Sequence, residues 1–188
     1  MTSQAAGSSV LPEDRPVDDY MPGGSRYGPP QTFNVSTGLN WGCAAPGCSK
    51  TSNLSRCSAC KVVRYCRREH QSADRPGHRS VCSKIKKALA NLEKAERTLR
   101  REEGDAIFEE EKGHFWGILE TRDYMLARFA LVEALLKINS VQAVTSALDH
   151  LLDMLQLCRG DNLSVRTVVP SLYIRLGRDQ EAYDFCTW

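Results

Sequence analysis

Cys43, Cys48, Cys57, Cys60, Cys66, His70, His78 and Cys82 fall within forty residues, and their types and spacing are those of metal ligands. They form four couplets, C-x4-C, C-x2-C, C-x3-H and H-x3-C, separated by eight, five and seven residues. Intervals this short let both members of a couplet reach one ion, and a tetrahedral structural zinc site takes two couplets. Four couplets therefore supply two Zn2+ ions with no ligand missing. Spacing alone leaves open which couplets share an ion.

Disulfides are the rival chemistry for an even number of cysteines in a short secreted chain. The N-terminal stretch MTSQAAGSSVLPEDRPVDDY has neither a basic start nor an apolar run of signal-peptide length. The histidines also fall in step with the cysteines, which disulfides would not require. An intracellular zinc protein, in the nucleus, the cytoplasm or both, is the expectation. Some forty residues bury too little apolar surface to fold alone, so the metal has to supply the core. Sites filled by four protein ligands leave no open position for water or substrate, which argues against zinc hydrolysis.

The run resembles a MYND-type zinc finger. The resemblance is carried by Cys43, Cys48, Cys57, Cys60, the K-V-V-R-Y-C stretch ending at Cys66, His70 followed by Gln71, and the closing His78 and Cys82. The wording E-H-Q and R-P-G-H is similar to fungal members of that family. The resemblance implies interleaving, with Cys43, Cys48, Cys66 and His70 on the first zinc and Cys57, Cys60, His78 and Cys82 on the second. Two positions depart from the family pattern. His70 stands where the family usually has cysteine; no other Cys or His lies between Cys66 and His78 to replace it. Arg75 stands where a tryptophan commonly helps Gln71 form a groove for proline-containing peptides. Gln71 and Arg75 are thus the candidate partner contacts, without the aromatic wall.

The surrounding chain must position this module. Residues 1–40 are rich in Pro, Gly and Ser with few large aliphatics, the composition of a disordered tail. The finger then occupies 41–83, with little regular structure beyond a short helix, and Leu39 and Trp41 are expected to pack on it. Ile85, Ala88, Leu89, Leu92, Ala95 and Leu99 recur at three- and four-residue intervals, predicting an amphipathic connector helix over 84–102 within a segment 84–103 that Gly104 ends. Residues 104–188 read as an all-α helical-hairpin region. Its helices are expected over 114–138, from an N-cap at Ser140 to Leu157, through Val165–Leu176 with a kink or restart at Pro170, and after Gly177. The phrase R-L-G-R-D-Q-E-A-Y-D-F resembles the end of a tetratricopeptide-type repeat. Cys158 and Cys186 read as buried free thiols, and the run Glu109, Glu110, Glu111 and Lys112 as a solvated face.

Charge is unevenly placed. Residues 43–87 carry eleven Lys or Arg against Glu69 and Asp74, whereas 88–188 carry twelve basic and seventeen acidic residues. A basic zinc module could attract phosphate backbones, yet the C-x2-4-C-x12-H-x3-5-H pattern of a base-reading finger is absent. A truncated relative of the SET-type lysine methyltransferases, in which such fingers also occur, is a further alternative. The Gly-rich strand pair and Asn-His-Ser-Cys stretch of those enzymes are missing, so no catalysis is expected. The reading that remains is a zinc-binding adaptor or regulatory scaffold whose finger recognises a protein partner, a proline-containing peptide among the candidates. Nucleic acid is the weaker alternative, and no membrane partner is expected.

Overall fold

The computed structural model describes residues 38–187. The expected disordered tail lies, through residue 37, outside the described residues. Two short strands, β1 (Ser55–Arg56) and β2 (Arg64–Tyr65), pair antiparallel with Ser55 opposite Tyr65 and Arg56 opposite Arg64. Six α-helices follow: α1 (Arg68–Glu103), α2 (Ile107–Glu110), α3 (Arg122–Leu135), α4 (Val141–Leu157), α5 (Val169–Arg175) and α6 (Asp179–Thr187). The result is a finger followed by a helical region, as the sequence implies.

Helix α1 is the main departure. Periodicity of the aliphatic residues predicts a helix from 84, but α1 starts at Arg68 and runs 36 residues, about 54 Å. A single helix thus crosses the boundary expected after residue 83. His70, Asp74, His78, Val81, Cys82 and Ile85 continue backwards the same three- and four-residue stripe as Leu92 and Leu99. The inward face of α1 is polar and metal-ligating in its first half and aliphatic in its second. Pro76 lies inside the helix and removes one backbone donor. It is on the exposed side, with Ser72, whose carbonyl would otherwise have accepted that bond, also exposed to water. Gly104 ends α1 with φ +86° and an amide bonded to the Arg100 carbonyl at 3.0 Å.

The stretch expected to open a helix at 114 instead forms a 3-10 turn at Phe115–Gly117, and α3 begins only at Arg122. Buried Thr121 explains the delay. Its hydroxyl donates to the carbonyls of Phe115 and Ile118, closing the loop on itself before the helix starts. Phe115 packs there against Phe108 and Tyr124, with ring centroids 5.5 and 6.3 Å away. The Ser140 hydroxyl accepts from the Ala143 amide at 3.3 Å, capping α4, which ends at Leu157 as its apolar spacing predicts. Asp161 then accepts from the amides of Val165 and Arg166. Pro170 restarts the chain in the first turn of α5, where its missing N–H costs nothing, and Gly177 at φ +70° separates α6.

Each long helix packs on the next: α1 on α3, α3 on α4, α4 on α5 and α5 on α6. Ile85 and Leu99 of α1, Leu131 and Leu135 of α3, Leu148 and Leu151 of α4, and Leu172 of α5 are buried in the common core. The chain entering the finger is clamped to the corner between α3 and α4. Asn40 N–H donates to Asn139 at 3.0 Å, and Val141 N–H donates back to Asn40 at 3.1 Å. Leu39 is buried, so residues 39 and 40, expected in the tail, belong to the folded part. Trp41, expected to pack, is 59% exposed. Cys158 is buried and bonded to Asn162, but Cys186 is exposed because it lies on the outer side of α6, a correction to its expected burial.

Candidate metal centres

The finger builds its ligands from two tight turns and one helix. In the first turn, Cys43 N–H donates to Lys50 at 2.8 Å and Cys48 N–H to Ala45 at 3.1 Å, with Gly47 in the left-handed region at φ +73°. In the second, Cys57 N–H donates to Val63 and Lys61 N–H to Cys57, with Lys61 at φ +63°. Cys66 stands just before α1; His70, His78 and Cys82 stand on it. His78 and Cys82 are four residues apart on α1, which puts them on one face, whereas Cys66 meets His70 from the extended chain just before the helix.

Tertiary folding groups first couplet with third and second with fourth. Cys43, Cys48, Cys66 and His70 converge, as do Cys57, Cys60, His78 and Cys82, the ligand atoms of each set lying within 4.8 Å of one another. In the first set His70 Nδ1 is 3.5 Å from Cys43 Sγ and 3.4 Å from Cys66 Sγ, and Cys48 Sγ is 3.8 Å from Cys66 Sγ. In the second, Cys57 Sγ is 3.7 Å from Cys82 Sγ and Cys60 Sγ is 3.6 Å from His78 Nε2. Zinc bonds of about 2.3 Å to sulfur and about 2.0–2.1 Å to nitrogen set tetrahedral edges of about 3.8 Å (S to S) and about 3.6 Å (S to N). The separations fit two zinc ions. They do not fit disulfides, whose sulfurs stand about 2.05 Å apart, and all cysteines among the described residues are free thiols.

The turns prepare the thiols unequally. Burial pushes Cys43 and Cys57 up, but backbone amides outweigh it, Ala45 for the first and Cys60 for the second, and bring both down to about 6. Burial, then the neighbouring Cys57, pushes Cys82 up to about 12, and burial likewise raises Cys60 and Cys66. A bound cation inverts this order by deprotonating its thiols outright. Each set thus presents one ready thiolate, Cys43 or Cys57, beside raised thiols, Cys66 in the first set and Cys60 and Cys82 in the second, that yield their protons on metal binding.

Two supporting features were not visible in the ligand spacing. Tyr65, buried at the end of β2, donates its hydroxyl to Asp74 on α1 at 2.6 Å and meets the His78 ring edge-on at 6.1 Å. It ties the strand to the helix between the two centres. Burial and this bond hold the phenol well above its ordinary range. Asp74 shares the helical stripe of His70 and His78, the one sequence signal that could have found it. Gly42 is the second feature: a Cβ there would stand 2.5 Å from the Lys50 carbonyl oxygen. Gly42→Ala must push apart the backbone bond that shapes the first turn. It is expected to destabilise the finger by ~1–3 kcal/mol and to lower zinc affinity, read by competition with a chromogenic chelator.

Of the candidate partner contacts, Gln71 is half-buried and Arg75 exposed, one turn apart on α1. His114 is exposed, and His150, half-buried on α4, accepts from Arg128 Nε at 3.2 Å. Neither histidine joins a metal set. Among the described residues no helix is long and apolar enough to cross a membrane.

Comparison with known proteins finds matches to the stretch that holds the eight ligands. Residues 42–82 match the MYND finger family. The histone-lysine N-methyltransferase ASHR1 of Arabidopsis thaliana is 49% identical over 51 residues, 27% of this chain and 10% of that protein. The Rho GTPase-activating protein gacZ of Dictyostelium discoideum is 38% identical over 61 residues, 31% of this chain and 6% of that protein. The chain therefore spans a tenth or less of the length of these curated relatives. No solved structure matches it. With two Cys and His sets of zinc-like dimensions inside the matched stretch, residues 42–82 are a MYND finger.

Proposed function

We propose that this chain is a zinc-dependent interaction adaptor whose finger recognises a partner protein. In this reading Cys43, Cys48, Cys66 and His70 hold one Zn2+ and Cys57, Cys60, His78 and Cys82 the other, both as structural ions. The observation that carries it is closure: each set already offers four protein ligands, so neither leaves a position for substrate. The finger (41–83) is joined through the connector (84–103) to the helical region (104–188), and α1 runs without a break from the finger through the connector. Gln71 and Arg75 are part of the contact. A charged side chain where the family pattern commonly has tryptophan favours an acidic partner over a proline-containing peptide. The methyltransferase relative matches this chain only over a short stretch, and the reading rests on two closed structural zinc sites rather than on a catalytic group. An intracellular setting, nuclear or cytoplasmic, suits six zinc-binding thiols.

One observation favours nucleic acid as a second reading. Arg68, Arg75, Arg79 and Lys86 stand seven, four and seven residues apart on α1 and all are exposed, so they form one line about 27 Å long. Such a line fits phosphate contact without base readout. Affinity capture separates the two. Zinc-loaded chain and its Cys60→Ser variant are incubated with nuclease-treated cell extract and washed at high salt. Proteins retained by the intact finger alone are the expected result. Loss of all capture under these conditions would move the basic line of α1 into first place.

A further inference from the structure

Between the finger and the helical region runs a trough of about 540 Å³ that involves neither Gln71 nor Arg75. Its finger wall carries Arg56, Lys61 and Arg64, all from the strands and the second metal turn. Its floor is apolar: Val62, Leu131 and Leu135 line it and are otherwise buried. The opposite wall is the small polar face of α4, with Thr145 and Ser146. Asp149 is the one acidic lining residue. His150 closes the end as a neutral ring, since burial and then the adjacent Arg128 hold it down to about 4.

Two of the three cations of this wall are left without an ion pair by the fold, and the third is only partly engaged. Arg56 and Lys61 are exposed and take part in no ion pair among the described residues. Arg64 donates from one terminal nitrogen to the Trp41 carbonyl at 3.0 Å, while its buried Nε has no hydrogen-bond partner. Three cations over an aliphatic floor, against a single carboxylate, are complementary to a ligand that is both anionic and apolar. A phosphate polymer matches the wall but has no apolar group to place on the floor of Val62, Leu131 and Leu135.

We propose that this trough is the docking site for a short acidic segment of a partner protein, with Asp or Glu carboxylates on Arg56, Lys61 and Arg64 and an aliphatic or aromatic side chain on Leu131 and Leu135. The proposal rests on the adaptor reading and gives its partner a chemistry. It also makes docking zinc-dependent, because Cys60 lines the trough and the turn from Cys57 to Cys60 carries Lys61. A site of this volume is of the size that binds compact ligands, ~300–1,000 Å³.

Fluorescence anisotropy with the zinc-loaded full chain tests it. The probes are a labelled peptide with a Leu-Leu centre flanked by glutamates and its lysine-flanked counterpart. Two variants address the trough: Arg56→Glu with Lys61→Glu on the exposed finger wall, and Thr145→Trp, which fills the space from α4. Lys94→Glu, at an exposed position of α1 outside the trough, is the control, and zinc content of two ions per chain verifies folding of each. The glutamate peptide is expected to bind, the lysine peptide not, and both trough variants to weaken binding about tenfold or more while Lys94→Glu changes it less than about twofold. Equal binding of both peptides, no binding of the glutamate peptide, or insensitivity to both trough variants overturns the trough. So does loss confined to Lys94→Glu, which assigns the peptide to α1. If the trough fails while finger-dependent capture from extract persists, the adaptor reading stands; if capture fails as well, both fall.

Discussion

Removing zinc is expected to unfold the finger and the first half of α1 while α3 and α4 remain folded. The reason lies in what each half of α1 rests on. From His70 to Cys82 its inward stripe consists of ligands, Asp74 and Val81; from Ile85 to Leu99 it is aliphatic and packs on α3. A structural zinc is worth on the order of 10–16 kcal/mol of apparent binding free energy, which becomes folding free energy where no other core exists. The α3–α4 core, with Leu131, Leu135, Leu148 and Leu151 buried, does not depend on it. Hydrogen exchange after chelation, or in Cys57→Ser, should therefore show amides of 43–82 losing protection and those of 122–157 keeping it. Loss of protection throughout would show that the finger and helices fold as one unit, through α1 and the Asn40 clamp.

Acid should act as a chelator does. Zinc requires thiolate and neutral imidazole, so protons compete with it and the stabilisation is fully present at high pH and lost as pH falls. Cys43 and Cys57, at about 6 without metal, supply thiolates near neutrality, whereas Cys82, at about 12, must give up a proton on binding. Zinc uptake at neutral pH should accordingly release protons, measured by calorimetry in buffers of different ionisation enthalpy.

The second large effect is expected from Phe115→Ala. Phe115 is fully buried beside Phe108 and Tyr124, and its carbonyl accepts from Thr121 in the loop that delays α3. Truncating a buried Phe costs ~3–5 kcal/mol. Against a total stability of about 5–15 kcal/mol this is a large fraction, and the melting midpoint of the helical region should fall on the order of 10 °C. The two zinc ions should still bind, since Phe115 touches neither set. A variant that also lost zinc would place the finger's stability in the helical core.

The sequence by itself determined what depends on near neighbours. Couplet spacing made the eight Cys and His legible as a ligand set, because two ligands separated by a few residues must share an ion. Helix ends were legible where a side chain or a backbone dihedral does the capping, at Gly104, Ser140, Pro170 and Gly177. Tertiary structure alone decided which couplets meet, since residues 18 to 27 apart, such as Cys48 with Cys66 or Cys43 with His70, are joined by chain closure that spacing permits in more than one way. It also decided that α1 passes through Pro76, because the helix is held there by ligands and a Tyr65–Asp74 bond rather than by the aliphatic stripe that periodicity detects. The clamp of Asn40 on the α3–α4 corner joins residues about a hundred apart, and the trough brings a finger wall against α4. Neither has a local signal, for both exist only where distant surfaces of the folded chain are pressed together.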